Sequence, residues 1–211
     1  MNNEEFINAI KELDIEITND QLEKLNKFYD LLIEWNQKIN LTRITEQKEV
    51  YLKHFYDSLT IAKVIDLSTK ETLCDVGTGA GFPGIVLKIV YPNLNITLID
   101  SLQKRVNYLN TIINELELKD IKAIHSRGED YKEKFDVVTA RAVANIEKLL
   151  NYTMHLVNKT GIFIAMKGNV DEELNEQTLK NINKNYNVIN IEKFLLPIEN
   201  SKRSLVVIKN K

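Results

Sequence analysis

The chain has 211 residues, 44% apolar and 27% charged, with 28 basic against 30 acidic side chains and a formal net charge of −2. That length suits one catalytic domain with a smaller appendage, and the ordinary composition argues against a disordered or fibrous chain. No apolar run approaches the ~20 residues of a membrane span and the start, MNNEEFINAI, lacks a signal-peptide core, so a cytoplasmic protein is expected. The slight acidity lowers the expectation of a nucleic-acid partner without excluding one, because a local basic patch matters more than the sum.

Residues 1–67 read as helices. Thr18 and Gln21 have capping-box spacing. Leu22, Leu25, Phe28, Leu32 and Trp35 then recur at helical spacing, as a face laid on a core requires. A third helix is expected from near Glu46 to Ile65.

From residue 70 short apolar runs alternate with helical stretches. The runs are TLCDV (72–76), NITLID (95–100), IKAIHS (121–126), FDVVTA (135–140) and GIFIAMK (161–167). Helices are expected between them at about 83–91, 102–117, 145–157 and 170–184. Such alternation implies a parallel sheet with helices on both faces. Two last runs, near 187–194 and 203–209, have no helix-length pattern between them and should form an antiparallel hairpin. The expected fold is therefore α/β, Rossmann-like, with a mostly parallel sheet ending in a hairpin. It divides into a helical region at 1–67 and a sheet domain at 68–211. Cys74, the single cysteine, permits no intramolecular disulfide and reads as a small core residue of the first strand.

Between the first strand and its helix stands DVGTGAGFPG, residues 75–84. A glycine loop in this place lets a ligand approach the backbone closely. Counted from Gly77, the dinucleotide pattern G-x-G-x-x-G fails at Phe82, and it fits from Gly79 only after a shift. The spacing Gly77-x-Gly79-x-Gly81 after Asp75 instead resembles the S-adenosylmethionine loop of class I methyltransferases. Asp75 can orient the loop or meet the cofactor's ammonium. Asp100, ending the second strand, can accept from both ribose hydroxyls, and both cofactor classes use such an acid. The charged turn at Arg127–Asp130 reads equally well as an adenine site or a solvated loop.

Four stretches carry a more specific resemblance: WNQKINLT (35–42), HFYDSL (54–59), the loop DVGTGAGFPG with its Phe82 and Pro83, and RGE (127–129) followed by TARAVAN (139–145). In this order they resemble the bacterial 16S ribosomal RNA guanine-N7 methyltransferase family, RsmG or GidB. The resemblance implies a class I methyltransferase that uses S-adenosylmethionine to methylate guanine N7 in 16S rRNA, at the guanosine numbered 527 in the small-subunit RNA. It implies cofactor contacts by Gly77, Phe82, Gly128, Glu129 and Arg141, beside the Gly79 and Asp100 of the loop argument. Thr78 stands where serine is common in the family, and Gly128 where alanine is.

The residues narrow the chemistry independently. A cytosine-C5 enzyme needs a loop cysteine, and Cys74 lies in a strand. An exocyclic-amine enzyme usually has an N/D-P-P-Y/W motif after the fourth strand, where this chain reads ARAVAN. Guanine N7 has an in-plane lone pair and no proton, so it needs no base, and no catalytic residue is assigned. Candidate RNA contacts are Arg43, Lys53, His54, Lys104, Arg105, Arg141, Lys167 and Arg203. Arginine can bind phosphate bidentately or stack on a base. His54, Asp57 and Ser58 share a helix face and read as either a hydrogen-bonded cluster or an RNA contact. No His, Cys or acid cluster has metal-ligand spacing, so no metal is expected. The expected partner is 16S rRNA or the small ribosomal subunit, with no membrane partner and a monomeric chain. A small-molecule or protein substrate, a non-catalytic binding module and an NAD enzyme remain as competing readings. Arg141→Ala is expected to weaken activity with the fold intact.

Overall fold

Helix α1 (Asn3–Lys11) begins in a capping box: the Asn2 side chain accepts from the Glu5 amide, and Glu5 accepts from the Asn2 amide. Helix α2 (Asn19–Ile39) begins in the box that the Thr18/Gln21 spacing predicts. Its buried face is Leu25, Phe28 and Leu32, with Leu22 and Trp35 at the half-buried margin. Gln21 does a second job. Its Nε2 donates to the carbonyls of Ile89 and Val90 at 2.9 and 3.0 Å, which satisfies the open end of a distant helix. After α2 the left-handed Asn40 turns the chain. Asn36 Oδ1 then accepts from the amides of Leu41 and Thr42 at 2.6 and 2.8 Å.

This computed structural model describes every residue except Ala142 and Val143, so the middle of the ARAVAN stretch lies outside the described residues. The expected third helix is present but not uniform. It runs as α3 (Gln47–Val50), a π-helical turn (Tyr51–Tyr56), α4 (Asp57–Leu59) and a 3-10 turn (Thr60–Lys63). Single π-helical turns concentrate at functional sites, and this one carries His54.

The sheet follows: β1 (Thr72–Val76), α5 (Gly84–Val90), β2 (Asn95–Asp100), α6 (Gln103–Glu115), β3 (Ile121–His125) and β4 (Phe135–Arg141). Then come α7 (Ile146–Thr153), β5 (Val157–Lys167), α8 (Glu176–Asn185), β6 (Tyr186–Leu195) and β7 (Lys202–Asn210). The strand order is β3-β2-β1-β4-β5-β7-β6, parallel from β3 to β5, with β7 antiparallel to both of its neighbours. The order reverses between β1 and β4, and ligands of open α/β sheets bind outside the strand carboxyl ends at such a point.

Two elements differ from the sequence reading. Strand β5 begins at Val157, four residues before the apolar run at 161. Gly161 explains this: a Cβ there would come 2.7 Å from the Phe135 carbonyl oxygen, beside the register shift between Phe135 and Val137. A bare backbone lets the bulged strand continue past a neighbour that a side chain would strike. Helix α8 starts at Glu176, later than 170, because Asn175 caps it by accepting from the Thr178 amide.

Strand side chains alternate between two cores. Leu73, Ile96, Leu98 and Val137 meet α1, α2, α5, α6 and the 47–63 helical segment in one cluster. Cys74, Val76, Ile99 and Val138 meet α7 and α8 in the other. Cys74 is fully buried as a core residue, and burial pushes its thiol well above the usual range. The N-terminal helices thus share a core with one face of the sheet.

Candidate active site

Strand β1 delivers Asp75 to the carboxyl edge of the sheet, and the glycine loop closes over it. Gly77, Gly79 and Gly81 have φ of 71°, 61° and 94°, the left-handed region that disfavours other residues. Asp75 Oδ2 accepts from Thr78 Oγ1 at 2.7 Å and from the Gly84 amide at 2.9 Å. Of the two roles open to Asp75, loop orientation is therefore made within the chain. Oδ1 is the one buried side-chain oxygen or nitrogen among the described residues that has no hydrogen-bond partner. Burial raises the Asp75 carboxyl to about 6.

Asp100 ends β2 and also holds the loop. Its Oδ2 accepts from the Gly79 amide at 3.0 Å and its Oδ1 from the Leu102 amide at 2.9 Å, while Arg105 lies 3.4 Å from Oδ2. Between β1, β2 and the turn after β3 opens a cleft of about 390 Å³. It brings together Gly77, Asp100, Gly128 and Glu129 of the residues proposed from sequence. Gly128 fits because a Cβ would meet Val76 Cγ1 at 2.8 Å and the Tyr152 carbonyl oxygen at 2.9 Å. Sequence reasoning missed Leu102 and Tyr152 on the same walls. Leu102 carried only a positional signal, an apolar residue two places beyond the strand-end acid Asp100. Tyr152 carried none.

Arg141 lies elsewhere, in the lining of a second cleft of about 340 Å³ with Lys53, His54, Asp57, Lys167 and Arg203, while Phe82 is buried against His54 and Arg141 and lines neither cleft. Three of the four sequence signatures meet at Phe82, and the fourth, WNQKINLT, reaches it through His54. The buried Phe82 ring stacks on His54 with centroids 4.4 Å apart and planes at 19°. The Arg141 guanidinium lies 5.2 Å from the same ring, and Phe28 packs at 5.4 Å. Arg141, ending β4, donates through Nη1 to the Lys53 carbonyl at 3.0 Å and to Asp57 Oδ2 at 3.2 Å. Its Nη2 lies 3.1 Å from His54 Nδ1. Arg203 Nε donates to the other oxygen of Asp57 at 3.0 Å. His54 Nε2 lies 2.9 Å from Thr42 Oγ1, within WNQKINLT. Burial, then the neighbouring Arg141 charge, depresses the His54 imidazole to about 3, so it is neutral near pH 7.

Of the candidate RNA contacts, Lys53, His54, Arg141, Lys167 and Arg203 converge on this cleft. Lys53 is paired with Glu49 and Glu199, and Lys167 with Glu173 and the Ala144 carbonyl. Arg43 is exposed before α3. Lys104 and Arg105 lie on α6, and neither they nor Arg43 line this cleft. Of the expected His54–Asp57–Ser58 cluster, Ser58 is fully buried and donates to the His54 carbonyl at 2.6 Å, while the other two face the cleft.

A sheet of this order with an antiparallel β7, and a glycine loop held by acids at the ends of β1 and β2, defines a class I methyltransferase dependent on S-adenosylmethionine. Among solved structures, a SAM-dependent methyltransferase from Aquifex aeolicus shares the fold, with a TM-score of 0.58 at 18% identity, covering 83% of this chain and 97% of that one. A family model described as "GidB: rRNA small subunit methyltransferase G" matches residues 21–205. The chain is 45% identical to the ribosomal RNA small subunit methyltransferase G of Bacillus subtilis (strain 168), over 99% of this chain and 90% of the relative. It is 47% identical to the protein of that name in Desulforamulus reducens, over 95% and 87%. The chain belongs to the rRNA small subunit methyltransferase G family.

Proposed function

We propose that the protein transfers a methyl group from S-adenosylmethionine to guanine N7 of 16S rRNA, alone or within the small ribosomal subunit. The observation that carries this is that residues of all four family signatures, Thr42, His54, Phe82 and Arg141, pack in one connected cluster beside the cleft lined by cations, with Phe82 on the same loop whose Gly77 lines the cleft suited to the cofactor. The site fits the cofactor. The glycine loop offers a backbone cradle, and Asp75 Oδ1 is an unmet acceptor suited to an ammonium. Gly77 and Gly79 would face the amino-acid end, Asp100 the ribose, and Gly128 and Glu129 the adenine against Leu102. Phe82 and Arg141 would close the site toward the second cleft.

S-adenosylmethionine, when bound, supplies an electrophilic methyl on a sulfonium. The residues have to align the base, because N7 attacks with a free lone pair and loses no proton. Catalysis then rests on proximity and a fitted, polar pocket. Lys53, Lys167 and Arg203 would hold RNA phosphates and compensate the −2 net charge of the chain. In this reading residues 1–67 form a helical region that completes the base pocket, 68–211 form the methyltransferase domain, and the chain acts as a cytoplasmic monomer. Tritiated S-adenosylmethionine and small subunits lacking the mark test it. Label on guanine N7, mapped by mass spectrometry, is expected, and no transfer to that atom overturns the reading.

A further inference from the structure

We propose that His54 is a positioning residue for Arg141, a neutral imidazole with its proton fixed on Nε2 by Thr42, and that it is neither acid nor base in the reaction. The inference rests on the methyl-transfer reading of the two clefts, but the tautomer stands on geometry alone. A guanidinium carries only N–H donors. Arg141 Nη2 lies 3.1 Å from His54 Nδ1, so Nδ1 must present its lone pair. The ring proton therefore sits on Nε2 and is donated to Thr42 Oγ1 at 2.9 Å. That oxygen also accepts from the Ile44 amide at 3.0 Å, and two lone pairs serve both. The Lys53 carbonyl lies 3.2 Å from Nδ1 but needs no proton from it, since Arg141 Nη1 already donates to it at 3.0 Å.

The arrangement aims one side chain. The Lys53 carbonyl, the His54 ring and the Asp57 carboxylate come from one stretch of the 47–63 segment, and all three accept from Arg141. His54 adds a flat face, so imidazole and guanidinium lean on the same Phe82 ring. The charged groups around the imidazole are Lys53 and Asp57 from its own segment and Arg141 from β4. Arg203 of β7 reaches the far oxygen of Asp57, and Asp75 of β1 adds charge near Arg141. A second ring proton would set Nδ1–H against the Arg141 donors and break the array. Thr42 thus links the WNQKINLT signature to an arginine 99 positions later in the chain.

The test combines spectroscopy of the whole protein with kinetics on small subunits lacking the mark. The 15N shifts of His54 are expected to show a neutral Nε2–H ring from pH 8 down to pH 5. His54→Leu is expected to lower turnover on the order of 100-fold, as a misplaced group does. His54→Asn, which keeps an acceptor near the Nδ1 position, should recover a good part of that. His54→Leu combined with Arg141→Ala should be no worse than Arg141→Ala alone. Titration of His54 between pH 6 and 7, an Nδ1–H tautomer, or losses that multiply in the double variant would each overturn the inference. Failure of the wild type to methylate small subunits would instead overturn the functional reading, and the spectroscopic arm would still decide the tautomer.

Discussion

The amide of Gly84 donates to Asp75 Oδ2 at 2.9 Å, so the last residue of the glycine loop is tied to the first. Gly84 has no positive φ. It is required by close approach: a Cβ would strike the Leu98 side chain and come within 3.0 Å of the same Asp75 oxygen. Gly84→Ala is expected to cost about 1–3 kcal/mol of stability, as overpacking does, and to weaken S-adenosylmethionine binding. Urea unfolding and calorimetry check this, and wild-type values in both would contradict it.

Asp75 gives the protein a pH dependence with a definite sign. Its carboxyl is raised by burial from 3.8 to about 6. The folded chain therefore holds this proton more tightly than the unfolded chain does. Its contribution to stability is full below pH 3.8 and is lost as pH rises through about 6. Relative to Asp75→Asn, which does not titrate, the wild type should lose stability across that window and change no further above it. A cofactor ammonium against Oδ1 would favour the ionised form. Binding below pH 6 should then release a proton, read by calorimetry in buffers of different ionisation enthalpy. Heats at pH 5.5 that do not vary with the buffer's ionisation enthalpy would place the ammonium elsewhere.

The fold was largely legible in the sequence because period and punctuation are local. The alternation of short apolar runs with helical stretches placed all seven strands, and the missing helix before β7 placed the antiparallel hairpin. Thr18 and Gln21 announced their own cap, but not the bonds from Gln21 to Ile89 and Val90, which join residues 68 and 69 positions apart. The site was legible in parts. Gly77, Asp100 and the 128–129 turn share one cleft, because each sits at a strand end that the pattern fixed, whereas Gly79 does not line it and meets the site through its amide bond to Asp100. Arg141 does not line that cleft, and although Lys53, His54 and Asp57 each stood out in the sequence, nothing there paired them with Arg141. Asp57 lies 84 positions from Arg141 and 146 from Arg203, and periodicity shows which face is apolar but not which charges meet across a fold. The π-helical turn that carries His54 was equally invisible, since its residues fit an ordinary helical pattern.

Gly77 lines the cleft proposed for the cofactor at φ 71°, and its amide donates to the Ile99 carbonyl at 2.8 Å. A valine there would need left-handed backbone that a β-branched residue resists, at a cost of roughly 1–2 kcal/mol, and would put its methyl groups where the ligand approaches the chain. Gly77→Val should weaken S-adenosylmethionine binding at least 100-fold while far-UV circular dichroism stays near wild type, the strain being confined to a loop. Unchanged affinity would remove Gly77 from the cofactor site.

Arg141 separates fold from function less cleanly than its position in the sequence suggests. The sequence expectation is that Arg141→Ala weakens activity with the fold intact. In the structure Arg141 and Arg203 together neutralise Asp57, a buried acid, and Arg141 is also the donor to His54 Nδ1. Removing one partner of a buried pair costs ~3–5 kcal/mol when the charge is left alone. Arg203 remains here, so a loss of about 1–3 kcal/mol is expected for Arg141→Ala together with the loss of turnover. Adding Asp57→Asn removes the carboxylate that Arg141 and Arg203 share, and a double-mutant cycle reads the coupling between Arg141 and Asp57 directly. Turnover should stay lost, because the guanidinium over Phe82 is still missing. If the double variant regained both stability and turnover, Arg141 would be a counter-ion for Asp57 and nothing more, and the division of the site at Phe82 and Arg141 would have to be redrawn.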